Sequence, residues 1–463
     1  MRKSLVILVL FGMLLLPAAA AASGTAIYEQ GSKASAQAGA FVARADDPSA
    51  LFYNPAGMAF FKKGMNLSFN LTYIATDVRY ESPTQGSFKN NATNFFLPAF
   101  YFTWGVTDRV AVGFSVNAPY NLATDWSEKF PGRFVSRQSK IVTMNYHPAV
   151  AFKINDENAI GIGFSYYDSR VLLTRKQDTS ALSTSVNPRT YPSPPYPPGI
   201  PYYMASEAFL TTDVRDWAWG WDIGWIFRKE AWSFGLTYHD KVTFEYEGHT
   251  YFYTDATKLG PLTALFPAEN VRLPLTSIPA GATAGLSYKG KALTTEFDVQ
   301  WTKWSTWGRS WATFSNPTTL SGKPVVPAQQ LFIFDWHDTW CYRLGFGYEL
   351  NDKTELRWGV LYDQAPVPNQ TISSVLPDKD RWSVQFGMGH KYGRLSLDWY
   401  VMYLQFANAD VTADNIYRTN STGLPTVVLP GQGQIYPTTY PMTADGKYKG
   451  TALLTGVQIN WKF

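Results

Sequence analysis

From Gly64 to Phe463 the chain alternates apolar and polar residues in short runs. The last run is the clearest. Leu453, Thr455, Val457, Ile459, Trp461 and Phe463 fall on one face, and Leu454, Gly456, Gln458, Asn460 and Lys462 on the other. A strict period of two is that of a strand with one oily and one wet face. The same split recurs at 110–117, 232–239, 293–301, 342–349 and 382–389. Six short turns punctuate the runs: Thr107-Asp108, Asn155-Asp156-Glu157, Arg228-Lys229-Glu230, Lys289-Gly290-Lys291, Asn351-Asp352 and Tyr392-Gly393. Seven longer excursions separate them, the largest near 175–213, 305–336 and 408–447. Thirteen connections imply fourteen strands. Short turns at one end and long loops at the other describe an all-β, 14-stranded antiparallel transmembrane barrel. The even count returns both ends of the barrel sequence to the same side.

Alternation by itself does not separate a barrel from a soluble sandwich, because each has one oily face per strand. Composition favours the barrel. Aromatic residues make up 16% of the 463 and charged residues only 16%, against about 25% charged in ordinary globular chains. Trp and Tyr gather near strand ends, as in membrane girdles, and the chain ends on an aromatic strand. Arg or Lys on a lipid face would cost about 2–4 kcal/mol at mid-bilayer, so Arg343 and Arg357 should face the lumen. The mean hydropathy of −0.18 is compatible with a membrane, since alternation hides the apolar face.

Residues 1–22 read as an export signal: Arg2 and Lys3, an apolar stretch Leu5 to Leu16, then Ala20-Ala21-Ala22. That run is too short to span a bilayer as a helix. Its removal takes the formal charge from +4 to +2, which gives no reason to expect nucleic acid. Cys341 is the only cysteine, so no intrachain disulfide can form.

Between signal and barrel lie residues 23–63, rich in Gly, Ala and Ser. Small residues allow close backbone packing, as a plug inside a barrel needs, and a helix over roughly 32–43 is expected. Phe41, Leu51, Phe52, Tyr53, Met58, Phe60 and Phe61 call for burial, which argues against a free leader. Asn54-Pro55-Ala56-Gly57 is a turn signal. The division is therefore 1–22 signal, 23–63 plug, 64–463 barrel.

Several stretches resemble the FadL/TodX (OmpP1) family of outer-membrane transporters for long-chain fatty acids and other hydrophobic compounds. They are Ala45-Asp46-Asp47-Pro48 through Asn54-Pro55-Ala56-Gly57, Ser115-Val116-Asn117-Ala118-Pro119-Tyr120, Leu376-Pro377-Asp378-Lys379-Asp380-Arg381, the run from Asp338-Thr339-Trp340 to Tyr362-Asp363-Gln364, and the terminal Phe463. The resemblance implies an N-terminal hatch in the lumen, a docking groove in the outer loops, and a pocket inside the barrel. It also implies a kink in the third strand that opens a side gap beside Asn54, Pro55 and Ala56, through which ligand leaves into the bilayer.

The residues themselves mark that third strand. Gly113 weakens a ladder, and Pro119 has no N–H to give one; Pro119 either interrupts the strand or ends it at the rim. Gly113, Ser115, Asn117 and Pro119 are the candidate gate. Candidate ligand contacts are Phe41 and Phe52 in the plug, Trp126, Phe130, Leu262 and Leu265 in the loops, and Arg343 and Arg357 in the lumen. The loop residues either form an exposed apolar groove or pack on one another. The arginines either meet ligand or pair with Glu349, Glu355 or Asp363. Asp378, Asp380 and Arg381 are placed to lock a loop or the hatch.

Catalytic and cofactor patterns are absent. The five histidines show no metal spacing, and the Gly-x-Gly pairs at 345–347 and 387–389 lie inside strands without a following helix. The expected partners are a hydrophobic ligand (fatty acid, alkane or aromatic), outer-membrane lipid, and the barrel assembly machinery through the strand ending at Phe463. A passive porin for small polar solutes and a secreted β-rich protein are the competing readings.

Overall fold

In the computed structural model, residues 24–83, 85–178, 207–253, 268–274, 277–320, 323–326, 328–411, 427–429, 432–435 and 446–463 are described. The expected signal, residues 1–22, lies outside them, as do Leu262 and Leu265.

Fourteen antiparallel strands close into a barrel. They are β1 (Gly64–Ser82), β2 (Asn94–Gly105), β3 (Val110–Asp125), β4 (Gln138–Lys153), β5 (Asn158–Asp178), β6 (Glu207–Lys229) and β7 (Trp232–His239). Then come β8 (Gly281–Lys289), β9 (Leu293–Thr302), β10 (Thr339–Asn351), β11 (Thr354–Asp363), β12 (Arg381–Tyr392), β13 (Leu395–Phe406) and β14 (Gly446–Lys462). The seam joins β1 to β14 in register from Asn66↔Lys462 to Glu81↔Lys447. Closure pairs each strand on both sides over most of its length, the condition for strands to cross a bilayer.

All six short turns fall between consecutive strands, at one end of the barrel. Glu230 and Gly393 take positive φ there, 53° and 64°, as tight reversals require. The faces follow the alternation. Phe69, Leu71, Phe114, Trp219, Phe297, Phe386, Val457 and Trp461 point outward and stay exposed, while Ser115, Asn117, Glu296, Asp298, Arg343 and Gln458 point inward and are buried. An exposed apolar belt of this extent on every side is a lipid-facing surface.

β5 and β6 have 21 and 23 residues. At roughly 3.3 Å per residue they run about 70 Å, far beyond the ~25 Å apolar band. The projecting half of β6 is continued sideways by Tyr246–Tyr253, then Glu269–Leu273, Arg309–Phe314 and Gln329–Ile333. Long loops are thus built into an outer wall.

Residues 24–63 fill the lumen. The expected helix at 32–43 is only one turn, α1 (Ser32–Ser35). Ala38 and Gly39 have φ of 67° and 71°, which ends any helix there. The cause is the wall: this segment follows the barrel's inner surface instead of lying free as a rod. A second turn, α2 (Ala50–Tyr53), and a 3₁₀ segment (Pro55–Phe60) follow. The wall is relieved by glycines where the segment touches it. A Cβ on Gly345 would lie 2.5 Å from the Gln37 carbonyl oxygen, and one on Gly113 would lie 2.6 Å from Met58 Sδ. Gly161, Gly224, Gly235, Gly285 and Gly387 face Ala56, Asn54, Val42, Ala43 and Ala36 in the same way.

Candidate functional site

Two acidic side chains of β9 hold the hatch by its backbone. Asp298 accepts the N–H of Phe41 at 2.9 Å and of Val42 at 3.1 Å. Glu296 accepts those of Ala43 at 2.7 Å and Arg44 at 3.2 Å. Below them an ion network, exposed at Asp46 and buried at Arg357 and Asp398, runs Lys33–Asp46–Arg44–Glu355–Arg357–Asp398, with closest contacts between 2.6 and 3.1 Å. Arg357 pairs there with Glu355 and Asp398, the lumen-network alternative that the sequence left beside ligand contact. Phe41, expected to touch ligand, is corrected: it is fully buried against Tyr53, with ring centroids 5.5 Å apart, inside the hatch.

The third strand is interrupted in its middle. β2 stays paired with β1 up to Asn94↔Ala75, but with β3 only from Gly105↔Ala111 to Phe100↔Val116. Beyond Val116 the two strands part. On the other side of β3, Ala118 and Pro119 together face the single residue Met144, a β-bulge between Asn117↔Asn145 and Tyr120↔Thr143. Pro119 therefore does not end the strand, which continues to Asp125. Gly113 is paired regularly with Thr103 and Ala149. Its role in the break is corrected: it makes room for Leu51 and Met58.

The edge of β3 that β2 abandons is taken by the start of the hatch. Ala26 bridges Tyr120, Ile27 N donates to Pro119 O at 2.8 Å, and Asn121 N donates to Thr25 O at 2.9 Å. Gln30 Nε2 donates to Ala118 O at 3.2 Å. So residues 25–30 cap the break. Asn54, Pro55 and Ala56 are not part of that cap: Asn54 Nδ2 donates to Val42 O at 2.9 Å and to Trp225 O at 3.2 Å, its Oδ1 accepts from Ala56 N, and the segment lies on β5 and β6. Of this turn, Pro55 reaches the cavity next to the break, while Asn54 and Ala56 lie against β5 and β6.

A cavity of about 120 Å³ adjoins the capped break. Ala26, Ile27, Val42, Leu51, Phe52 and Pro55 line its hatch side, and Asn117, Pro119, Asn145, His147, Asp222, His239 and Arg343 are among the wall residues. Arg343 is buried, donates to Gln300 Oε1 at 2.7 Å and lies 4.5 Å over the Tyr28 ring. Its Nε has no partner, and it makes no ion pair among the described residues. Phe52 and Arg343 thus reach the cavity, as does Pro55. Trp126 and Phe130 do not. They stack at 4.6 Å, fully buried with Tyr80 and Tyr448 among the outer loops, so of the two alternatives these two residues take the packing of loop on loop. Trp126 Nε1 donates to Ser374 O at 2.9 Å.

Asp378 meets the first described residue of the hatch, accepting Gly24 N at 2.8 Å. Burial pushes its carboxyl up to about 7, against the pull of Arg381 and the Gly24 N–H. Asp380 accepts Ala365 N at 3.0 Å, and Arg381 pairs with Asp363 at 2.9 Å. Among the described residues no group of His, Cys, Asp and Glu is placed to hold a metal ion.

The sequence matches, along nearly its whole length at residues 13–463, the pattern of the outer membrane protein transport proteins (OMPP1/FadL/TodX). The chain belongs to the OMPP1/FadL/TodX family. It is an outer-membrane transport protein, not an enzyme. The long-chain fatty acid transport protein of Escherichia coli O157:H7 is 24% identical over 402 residues, covering 82% of this chain and 86% of that one. A FadL homologue of Pseudomonas aeruginosa superposes with a TM-score of 0.72 at 20% identity, covering 95% of this chain and all of its own. The toluene transporter TbuX of Ralstonia pickettii gives 0.65 at 16%, covering 94% and 100%. The FadL fold, a fourteen-stranded barrel with an N-terminal segment in its lumen, is thus shared by relatives named for different cargoes.

Sequence reasoning missed His147, Asp222, His239 and Asn145 as cavity residues, and Asp298 and Glu296 as the hatch clasp. The clasp had a signal: consecutive inward carboxylates on one strand need donors, and a plug backbone supplies them. The cavity residues had none, because they come from three different strands.

Proposed function

We propose that this protein carries hydrophobic molecules, long-chain fatty acids or monoaromatic compounds, through the outer membrane by way of the cavity, and releases them sideways at the break in β3. The cap on that break carries the reading. Residues 25–30 satisfy β3 by backbone hydrogen bonds that a sliding segment can exchange for water or ligand, whereas a barrel strand at that place would be fixed on both edges. Apolar cargo gains about 25 cal/mol per Å² on leaving water, so a route from cavity to bilayer core is downhill and an aqueous bore offers nothing. Arg343, a buried guanidinium in no direct ion pair among the described residues, with Asp298 and Asp363 acting on it from farther off, is the anchor for the carboxylate of a fatty acid. Phe52 and Pro55 give the chain an apolar wall. Asp378 holds the hatch start in place, and Asp380 and Arg381 hold the loop that carries Asp378.

The test is to make β3 regular. Deleting Ala118 together with Pro119→Val removes the bulge and keeps both halves of the strand facing as they do now. Uptake of radiolabelled oleate and toluene by cells should fall to the level of cells lacking the protein. Barrel assembly is checked in the same sample by heat-modifiable gel mobility. Undiminished uptake by an assembled variant would refute lateral release.

A further inference from the structure

One wall of the cavity carries a continuous polar strip: Asn117 on β3, Asn145 and His147 on β4, Ser165 on β5, Asp222 on β6 and His239 on β7. It faces the oily hatch residues Ile27, Val42, Leu51 and Phe52 across the cavity. His147 Nε2 and Asp222 Oδ1 are 2.6 Å apart, so those two groups satisfy each other. The two asparagines are different. Asn117 is 0% exposed and Asn145 5%, yet neither Asn117 Oδ1 nor Asn145 Oδ1 has a hydrogen-bond partner. The Tyr101 hydroxyl donates to Gln30 O at 2.7 Å and offers its oxygen to Asn117 Nδ2, which leaves the acceptors Asn117 Oδ1 and Asn145 Oδ1 as the open atoms. Buried polar atoms are almost always satisfied, so a set left open on one cavity wall points to something that enters.

We infer that this strip recognises a hydroxyl group on the cargo, so that the cavity favours alcohols and phenols over the corresponding hydrocarbons. The inference rests on the transport reading above and adds a polar specificity to it. A hydroxyl is at once donor and acceptor. It can give its proton to Asn117 Oδ1 or Asn145 Oδ1. A carboxylate accepts only, and would meet Asp222 on the same wall. A pure hydrocarbon leaves both amide oxygens unpaired and also displaces any water that had served them. The oily hatch wall receives the rest of the molecule.

The experiment uses the purified full-length protein in detergent and titration calorimetry with toluene, p-cresol and octanoate. Toluene and p-cresol differ by one hydroxyl. The wild type should bind p-cresol at least about tenfold more tightly than toluene. Asn117→Leu, and separately Asn145→Val, should each bring that ratio towards one. Equal affinities in the wild type would overturn the inference while leaving transport of hydrophobic compounds intact. So would a ratio that persists in both variants. If the assembled wild type bound none of the three compounds, the transport reading itself would fall, and this inference with it.

Discussion

At the scale of single residues, the strongest control sits on a loop carboxyl. Asp378 is buried, accepts the Gly24 N–H, and has its carboxyl raised to about 7. An acid whose pKa is higher in the docked state binds its proton more tightly there. The Gly24 N–H pulls the pKa down and burial pushes it up, and burial is the larger cause, so docking that buries the carboxyl is strongest at low pH. It weakens as pH rises from the ordinary carboxylate range, about 4, to about 7, and is flat above that. Hydrogen exchange of the peptide 24–30, corrected for intrinsic rate, should show protection falling between about pH 5 and about pH 8. Asp378→Asn, which keeps an acceptor for Gly24 but cannot ionise, should hold protection level across that range. A wild type with pH-independent protection would remove Asp378 as the sensor. The residue scale also explains why some candidates failed. Arg343 and Arg357 have the same sequence signature, an inward arginine on a strand. Only the neighbours differ: Glu355 and Asp398 surround Arg357, while Gln300 and a tyrosine ring surround Arg343. Glu355 stands two residues from Arg357 on β11 and was among the partners the sequence offered, but Asp398, Gln300 and Tyr28 come from other strands and from the hatch, so the two arginines could not be told apart in one dimension.

At the scale of elements, the hatch is an irregular segment made stable by a wall built for it. Its own sequence offers two single helical turns, far too short to stand alone. What fixes it is the clasp from β9, the ion network under Arg44, and the glycines that let its backbone approach. Asp298→Ala should leave the Phe41 and Val42 N–H groups unpaired in a buried site, at about 1–3 kcal/mol each. Trypsin should then cut after Lys33 or Arg44 at lower urea than in the wild type, with the barrel still resistant. Unchanged onset of cleavage would mean the clasp contributes little. Gly345→Val acts from the opposite side, since its Cβ would meet the Gln37 carbonyl. It should likewise free the hatch without unfolding the barrel, seen as cleavage in the same assay. The helix expected at 32–43 shows why such a segment misleads: small residues suit both a helix and a close backbone approach, and only the wall decides which occurs.

At the scale of the whole molecule, the hatch and the break act as one device. A barrel of fourteen strands without its lumen segment would enclose a water-filled space. Deleting residues 24–60 should raise single-channel conductance for small ions several-fold in planar bilayers and abolish selective uptake of oleate. A silent, assembled barrel would argue that other parts close the lumen. The strand count, the six turns, the inward and outward faces, and the existence of a lumen segment were all legible in the sequence. Each is a local consequence of period two, turn chemistry and the burial demanded by apolar residues. The place of the break was only half legible. Pro119 announced an irregularity, but Gly113 announced one too, and Gly113 lies in regular ladder. The difference is whether a neighbour supplies a partner: β2 follows β3 as far as Val116 and then leaves, and residues 25–30 arrive in its place. Hydrophobic periodicity is a property of one strand and survives in the chain as written. Pairing, capping and the meeting of Asn117, Asn145, His147 and Asp222 around one cavity are relations between distant segments, and only closure of the barrel around its hatch creates them.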